Sequence, residues 1–138
     1  RSYQQDMVRW VVRLADYARL RHEGFIVVSQ NGSTLVNHAD FLATIDGLAV
    51  EDLVSVDEHA QSAEHTLTVL PELAFVRAEN KPVFVVEYSS TQTLIAQALA
   101  VGRSEHYSVL ITDRPLAGLG RAEGSAACAL TRAKRLSR

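Results

Sequence analysis

The sequence is poor in cysteine and carries no excess of basic residues. Cys128 is the one cysteine among 138 residues, so no disulfide can form within the chain, and metal sites built from two cysteine pairs are excluded. Its alanine-rich surroundings predict a small apolar packing residue. The 14 lysines and arginines are outnumbered by 16 aspartates and glutamates, which disfavours a nucleic-acid partner.

Long apolar runs are also missing from the sequence. No run approaches the roughly 18 apolar residues that a membrane span requires, and no secretory signal peptide is recognisable. The sequence therefore predicts no membrane partner. The chain begins with Arg1 instead of Met, so we expect it to be a piece of a longer protein.

What the sequence does contain is the composition of an ordinary globular domain. Apolar residues make up 47% and charged residues 22% of the chain, which predicts one domain over residues 1–138. A complete (β/α)8 barrel needs roughly 200 residues or more. A chain of this length therefore cannot be a whole barrel.

Residues 3–22 are predicted to form an amphipathic helix. Met7, Trp10, Leu14 and Tyr17 recur at spacings of three and four residues, which places them on one face of a helix. This face is expected to pack into the core, so Trp10 and Tyr17 are interpreted as core residues.

Four short apolar runs follow and predict strands of a parallel sheet. They cover residues 25–29, 45–50, 82–86 and 107–112. Helices are predicted at 40–43, over 64–80 with a new helix starting at Pro71, at 92–101 after a Ser-Ser-Thr cap, and at 122–136. This order predicts an α/β fold of four βα units with parallel strands, preceded by a helix.

Polar residues stand at the carboxyl end of each predicted strand, the edge where parallel α/β folds bind their ligands. These residues are Gln30 and Asn31, Glu51 and Asp52, Glu87 and Tyr88, and Asp113 and Arg114. Two interpretations stay open. The residues are either a binding rim for a hydroxylated ligand or the ordinary polar ends of strands.

Several carboxylates at one rim suit glycoside hydrolysis, in which one acid protonates the leaving oxygen and a second attacks or activates water. Glu51 directly follows apolar strand residues, an environment that raises a carboxyl pKa and favours the acid role. The sequence thus predicts a raised pKa for Glu51.

Four segments together resemble the second half of the barrel of glycoside hydrolase family 114, the endo-α-1,4-polygalactosaminidase-like proteins. They are the helix from Asp6 to Arg19, FIVVSQNG (25–32), IDGLAVEDL (45–53), and KPVFVVEYS (81–89) with SVLITDRPL (108–116). The resemblance implies the C-terminal half of a (β/α)8 TIM barrel. It also implies cleavage of an α-1,4-linked amino-sugar polysaccharide, and a secreted or extracellular location.

In this family two acidic residues act, and the resemblance places the general acid/base on Glu51. The second carboxylate would precede Arg1, in an N-terminal half that this chain lacks. Substrate contacts are expected from Gln30, Asn31, Asp52, Glu87, Tyr88 and Arg114. The family tends to have Asp before Tyr where this chain has Glu87, which leaves the role of Glu87 open. No cofactor and no metal is implied.

Two alternatives to a working hydrolase stay open. One is a non-catalytic carbohydrate-binding or scaffold protein, and the other is a half-barrel that assembles with a second copy or a companion chain through its open sheet edges. His59 and His65 are six residues apart, not the three or four of a helical metal pair, and are interpreted as surface or capping residues.

Overall fold

A computed structural model describes residues 2–118 and 120–123 of the chain. Helices and strands alternate along most of this length. The helices are α1 (Tyr3–Arg21), a 3₁₀ helix (Ser33–Asn37), α2 (Ala39–Thr44), α3 (Ala63–Ala78) and α4 (Gln92–Glu105). The strands are β1 (Val28–Gln30), β2 (Gly47–Glu51), β3 (Ser55–Val56), β4 (His59–Ala60), β5 (Val83–Tyr88), β6 (Ser108–Thr112) and β7 (Arg121–Glu123).

The main sheet has five strands in the order β1-β2-β5-β6-β7. The first four are mutually parallel, and β7 is antiparallel to β6. The four parallel strands are the four that the sequence predicts, which confirms the α/β fold built from βα units. β3 and β4 form a separate hairpin, which the sequence analysis did not predict.

The core lies between the sheet and the helices that cover it. β2 contributes Leu48 and Val50, and β5 contributes Val83 and Val85, all of them buried because parallel strands need apolar cover. The helical layer adds buried Phe41, Leu73, Val76, Ala98 and Leu99. This packing fixes the central strands whose carboxyl ends carry the candidate site.

The orientation predicted for α1 is wrong. Val8 and Ala15 are its buried residues, whereas Trp10 is 54% and Tyr17 57% exposed. The apolar stripe therefore faces away from the described core, because helical spacing identifies a face without showing what covers it. No helix within residues 2–118 and 120–123 is long and apolar enough to cross a membrane.

The first strand is shorter and more exposed than predicted. β1 begins at Val28, and Phe25 and Ile26 are 46% and 59% exposed, so the predicted burial on both faces is wrong. Among the described residues β1 pairs with β2 alone, which leaves one edge of the described sheet open. A cavity of about 330 Å³ lies along this edge and is called the β1-edge groove; it is lined by Val11, Leu14, Ala15 and residues 25–29.

α3 runs without a break through Pro71, where the sequence predicts the start of a new helix. Proline removes one helical hydrogen bond, since it has no N–H to donate. Pro71 itself is exposed, while the next two residues, Glu72 and Leu73, are buried and hold that turn of the helix against the core. Tertiary packing therefore outweighs the local signal.

The predicted last helix is wrong where the structure describes it. Ala122 and Glu123 belong to β7, whose residues Arg121–Glu123 pair with Val109, Leu110 and Ile111 of β6. The outer edge of β6 offers backbone groups that this segment satisfies. The rest of the predicted helix, from residue 124 on, lies outside the described residues.

Gly102 provides a test of how closely α4 packs on β6. A Cβ at this position would overlap Cγ2 of Val109. We expect Gly102→Val to lower the free energy of unfolding by about 1–3 kcal/mol, the usual cost of an overfilled core. Urea unfolding measures the change. Gly118→Val is the matched control, because no described residue beyond its chain neighbours lies within 4 Å of a Cβ there. Equal losses in both variants would contradict the described packing.

Candidate active site

The pairing of β2 with β5 brings Glu51 and Tyr88 to the same face of the sheet. Glu51 ends β2 and lies beside Val86 of β5. Tyr88 is two residues beyond Val86, and alternate residues of a strand share a face. Glu51 and Tyr88 are therefore neighbours at the carboxyl edge of the sheet, where the sequence analysis expected a binding rim.

The Glu51 side chain is held at both oxygens. The Tyr88 hydroxyl donates to Oε1 at 2.6 Å, and Nδ2 of Asn31 donates to Oε2 at 3.2 Å. Asn31 also accepts from the Glu51 backbone N–H at 3.0 Å. Its own N–H donates to the Ala49 carbonyl at 2.7 Å, which fixes the turn after β1 against β2. The carboxylate orientation is thus defined by two residues, Tyr88 at the end of β5 and Asn31 in the turn after β1.

The predicted rise in the pKa of Glu51 is wrong. The Tyr88 hydroxyl, and after it the Asn31 amide, hold the pKa of the Glu51 carboxyl below its usual value of 4.5, and these bonds outweigh the effect of burial. The same bond raises the pKa of Tyr88 to about 12, so the hydroxyl keeps its proton. The free site therefore holds Glu51 in its ionised form near neutral pH.

Arg114 extends the site on the other side of Tyr88. Its guanidinium lies over the Tyr88 ring, 4.8 Å from the ring centroid. Nη2 donates to Oδ2 of Asp52 at 3.0 Å and to Oδ1 of Asp57 at 3.2 Å. Oδ1 of Asp52 is buried, and no described residue donates a hydrogen bond to it.

Glu87 lies on the opposite face of β5 from Tyr88 and is only 1% exposed. Its Oε1 accepts from the Val54 N–H at 2.7 Å, and its Oε2 accepts from the N–H and hydroxyl of Ser55 at 3.0 and 2.6 Å. Burial raises the pKa of this carboxyl, with the three donors acting against the rise. Its position does not fit the expected substrate contact, and its contacts instead fix the loop after β2.

A cavity of about 350 Å³ opens beside Glu51, within the range of about 300–1,000 Å³ that ligand pockets occupy. Its polar lining comes from Asn31, Ser33, Glu51, Asp52, Gln61 and His65. Val50, Leu53, Val56 and Val69 supply the apolar part. A mixed lining of this kind suits a ligand with both hydroxyls and C–H faces, such as a sugar ring.

The structure brings together five of the seven site residues expected from the sequence. Asn31, Glu51, Asp52, Tyr88 and Arg114 are linked by hydrogen bonds, ion pairs or ring contacts. Gln30 is exposed at the end of β1 and pairs with Ala49 of β2. It therefore lies on the same face of the sheet as Ala49 and Glu51, which alternate along β2. Glu87 is the one residue that faces away.

Sequence reasoning missed the β3–β4 hairpin and its acidic tip, Asp57 and Glu58. Glu58 reaches the Ser-Ser-Thr segment that precedes α4, where the sequence analysis expected a side-chain cap. Thr91 is the N-cap residue, but its hydroxyl donates to Glu58 and accepts no hydrogen bond from the N–H groups of the helix. The signal in the sequence was the pair of acidic residues directly after the short apolar segment 53–56, a pattern that is equally typical of a solvated loop.

Metal ligation finds no support in the described part of the chain. No group of three or more His, Cys, Asp or Glu residues there is placed to hold a metal ion. His59 lies exposed on β4, and His65 lines the cavity beside Glu51. The two histidines therefore belong to different surroundings.

Comparisons with known proteins agree with the α/β fold. The model of the family described as glycoside-hydrolase family GH114 matches residues 2–128. An uncharacterised protein of Deinococcus radiodurans is 25% identical over 112 residues, which cover 80% of this chain and 36% of that protein. The chain thus spans about a third of the length of this relative.

The loop-fixing role of Glu87 is open to direct test. Glu87→Gln keeps the shape of the side chain but turns an NH₂ group toward a backbone N–H that needs an acceptor. We expect the free energy of unfolding to fall by about 1–3 kcal/mol, the cost of a buried group left unsatisfied. Urea unfolding at neutral pH gives the value. Glu79→Gln, at an exposed position, is the control, and equal stability of the two variants would refute the role.

Proposed function

This chain belongs to glycoside-hydrolase family GH114, and we propose that its protein hydrolyses glycosidic bonds, with Glu51 as one of two catalytic carboxylates. The observation that carries the proposal is the arrangement around Glu51. An oriented carboxylate lies in a cavity of ligand size, with Tyr88, Asn31 and Arg114 around it. Retaining and inverting glycosidases both work through a pair of carboxyl groups.

Glu51 acts as the acid/base group in this proposal and rests in the base form. A proton must therefore reach the carboxylate before it can protonate a leaving oxygen. A sugar bound over Glu51 excludes water, which disfavours the charge and raises the carboxyl pKa. After proton donation the carboxylate regains its bond from Tyr88 and is ready to accept a proton from water.

An α-1,4-linked amino-sugar polysaccharide is the proposed substrate. Among the described residues, Glu51, Asp52 and Asp57 lie at the site with Arg114 as their partner, so three carboxylates there face one guanidinium. This balance favours a cationic sugar over an anionic one.

The second carboxylate is proposed to lie on a part of the barrel that these 138 residues do not include. The β1-edge groove is the surface that fits a neighbouring βα unit, because it combines an open parallel edge with exposed Phe25 and Ile26. The same groove is what favours the second candidate function, a non-catalytic half-barrel that binds carbohydrate or serves as a scaffold in an assembly.

The decisive variant is Glu51→Gln in the longest natural form of the protein. We expect kcat/KM on an α-1,4-linked galactosamine polymer to fall by about 10²–10⁴-fold, the usual contribution of a positioned acid/base group. Reducing-end release measures the rate. Glu64→Gln, an exposed glutamate in the first turn of α3, is the control and should retain the parent rate.

Two other outcomes separate the alternatives. Unchanged cleavage by Glu51→Gln would remove Glu51 from the mechanism. A parent protein that binds the polymer without cleaving it would establish the carbohydrate-binding module instead.

A further inference from the structure

The tip of the β3–β4 hairpin is held in a conformation that its residues rarely adopt. Asp57 and Glu58 form the two-residue turn and have φ angles of 46° and 62°. Both central residues of a type I′ turn need positive φ, for which the second position is usually glycine. Residues other than glycine are strained at positive φ, so contacts outside the turn must stabilise it.

Glu58 supplies those contacts by joining the hairpin to the start of α4. Its Oε1 accepts from the N–H and hydroxyl of Ser90 at 2.8 and 3.0 Å. Its Oε2 accepts from the Ser89 hydroxyl at 2.7 Å, and from the N–H and hydroxyl of Thr91 at 3.2 and 2.9 Å. We call this set of bonds the Glu58 latch. With the Ser89 hydroxyl as the largest cause, it lowers the pKa of Glu58 to about 2.

A short series of contacts connects the hairpin tip to Glu51. Asp57, the neighbour of Glu58, holds Nη2 of Arg114 at 3.2 Å. Arg114 lies over the Tyr88 ring, and Tyr88 donates to Glu51. Val56 and Gln61, on either side of the hairpin turn, line the cavity in which Glu51 lies. The hairpin therefore shapes both the wall of the cavity and the surroundings of its carboxylate.

We propose that Glu58 is a positioning residue, which sets the ionisation and orientation of Glu51 by holding Asp57 against Arg114. This proposal rests on the proposed function for its catalytic meaning. Glu58 does not contact Glu51, so it acts through the hairpin. These contacts account for two acidic residues in a strained turn, because each carboxylate has a partner outside it. Asp57 bonds to Arg114, and Glu58 bonds to the residues at the start of α4.

The charged and titratable groups around Glu51 come from several elements. Tyr88 faces it from β5 and Arg114 from the segment after β6, while Asp52 directly follows β2. His65 of α3 lines the same cavity. The Tyr88 hydroxyl and the Arg114 charge both stabilise the ionised form of Glu51. Losing their alignment must therefore raise the Glu51 pKa.

The direction of the shift in the Glu51 pKa distinguishes loss of the latch from a simple charge effect. Glu58→Ala removes a negative charge, and this charge effect alone would lower the pKa of a nearby carboxyl. Release of the latch would raise the pKa of Glu51 instead, because Asp57 would no longer help Asp52 to hold Arg114 over the Tyr88 ring. Titration of ¹³C-labelled glutamate side chains by NMR measures the Glu51 midpoint in each protein.

We expect the Glu51 midpoint to move upward in Glu58→Ala and to stay in place in Glu64→Ala. The second variant loses the same charge at an exposed site on α3. An unchanged or lowered midpoint in folded Glu58→Ala overturns the proposal. Ser89→Ala combined with Thr91→Val loosens the latch from its other side without a change of charge, and must shift the midpoint upward as well.

Kinetics give the second readout in the longest natural form of the protein. We expect Glu58→Ala to lower kcat/KM by up to about 10²-fold, as small misplacements of catalytic groups do, and to move the pH profile with the Glu51 midpoint. A parent protein without hydrolase activity would refute the proposed function alone, because the NMR titration still decides whether the latch controls Glu51.

Discussion

The parallel pairing of β2 with β5 is the constraint on which the candidate site depends. It places Glu51 beside Val86 and so puts Tyr88 within hydrogen-bonding distance of the carboxylate. A shift of the pairing by one residue would turn Tyr88 to the other face of the sheet and bring Glu87 in its place. The buried apolar residues of both strands prevent such a shift. The packing of the core therefore determines which side chains lie together at the carboxyl edge of the sheet.

The two glutamates near this edge show how strand alternation assigns different roles to the same residue type. Glu51 accepts hydrogen bonds from a hydroxyl and an amide at the rim and is influenced by the charge of a guanidinium. These interactions lower its pKa. Glu87 is enclosed, its pKa is raised by burial, and it anchors the loop that leads to the β3–β4 hairpin. Glu87 thus holds the start of the hairpin, while Glu58 holds its tip against the residues that precede α4.

Local patterns were enough to predict the four parallel strands and the polar residues at their ends, because apolar runs and turn residues are encoded within a few positions. They failed for α1, whose apolar stripe is exposed instead of packed into the described core. They also failed for the Glu51 pKa, since the Tyr88 hydroxyl is 37 residues away along the chain. The Glu58 latch joins residues 31 to 33 positions apart and has no local signature.

The central claim is that the Tyr88 hydroxyl keeps Glu51 ionised in the free protein. An NMR titration of the Glu51 carboxyl in the wild type and in Tyr88→Phe tests it most directly, with Tyr17→Phe on the exposed side of α1 as the control. The account predicts a wild-type midpoint below 4.5 that rises in Tyr88→Phe and does not move in the control. A wild-type midpoint at or above 4.5, or one that the loss of the hydroxyl leaves unchanged, would contradict it.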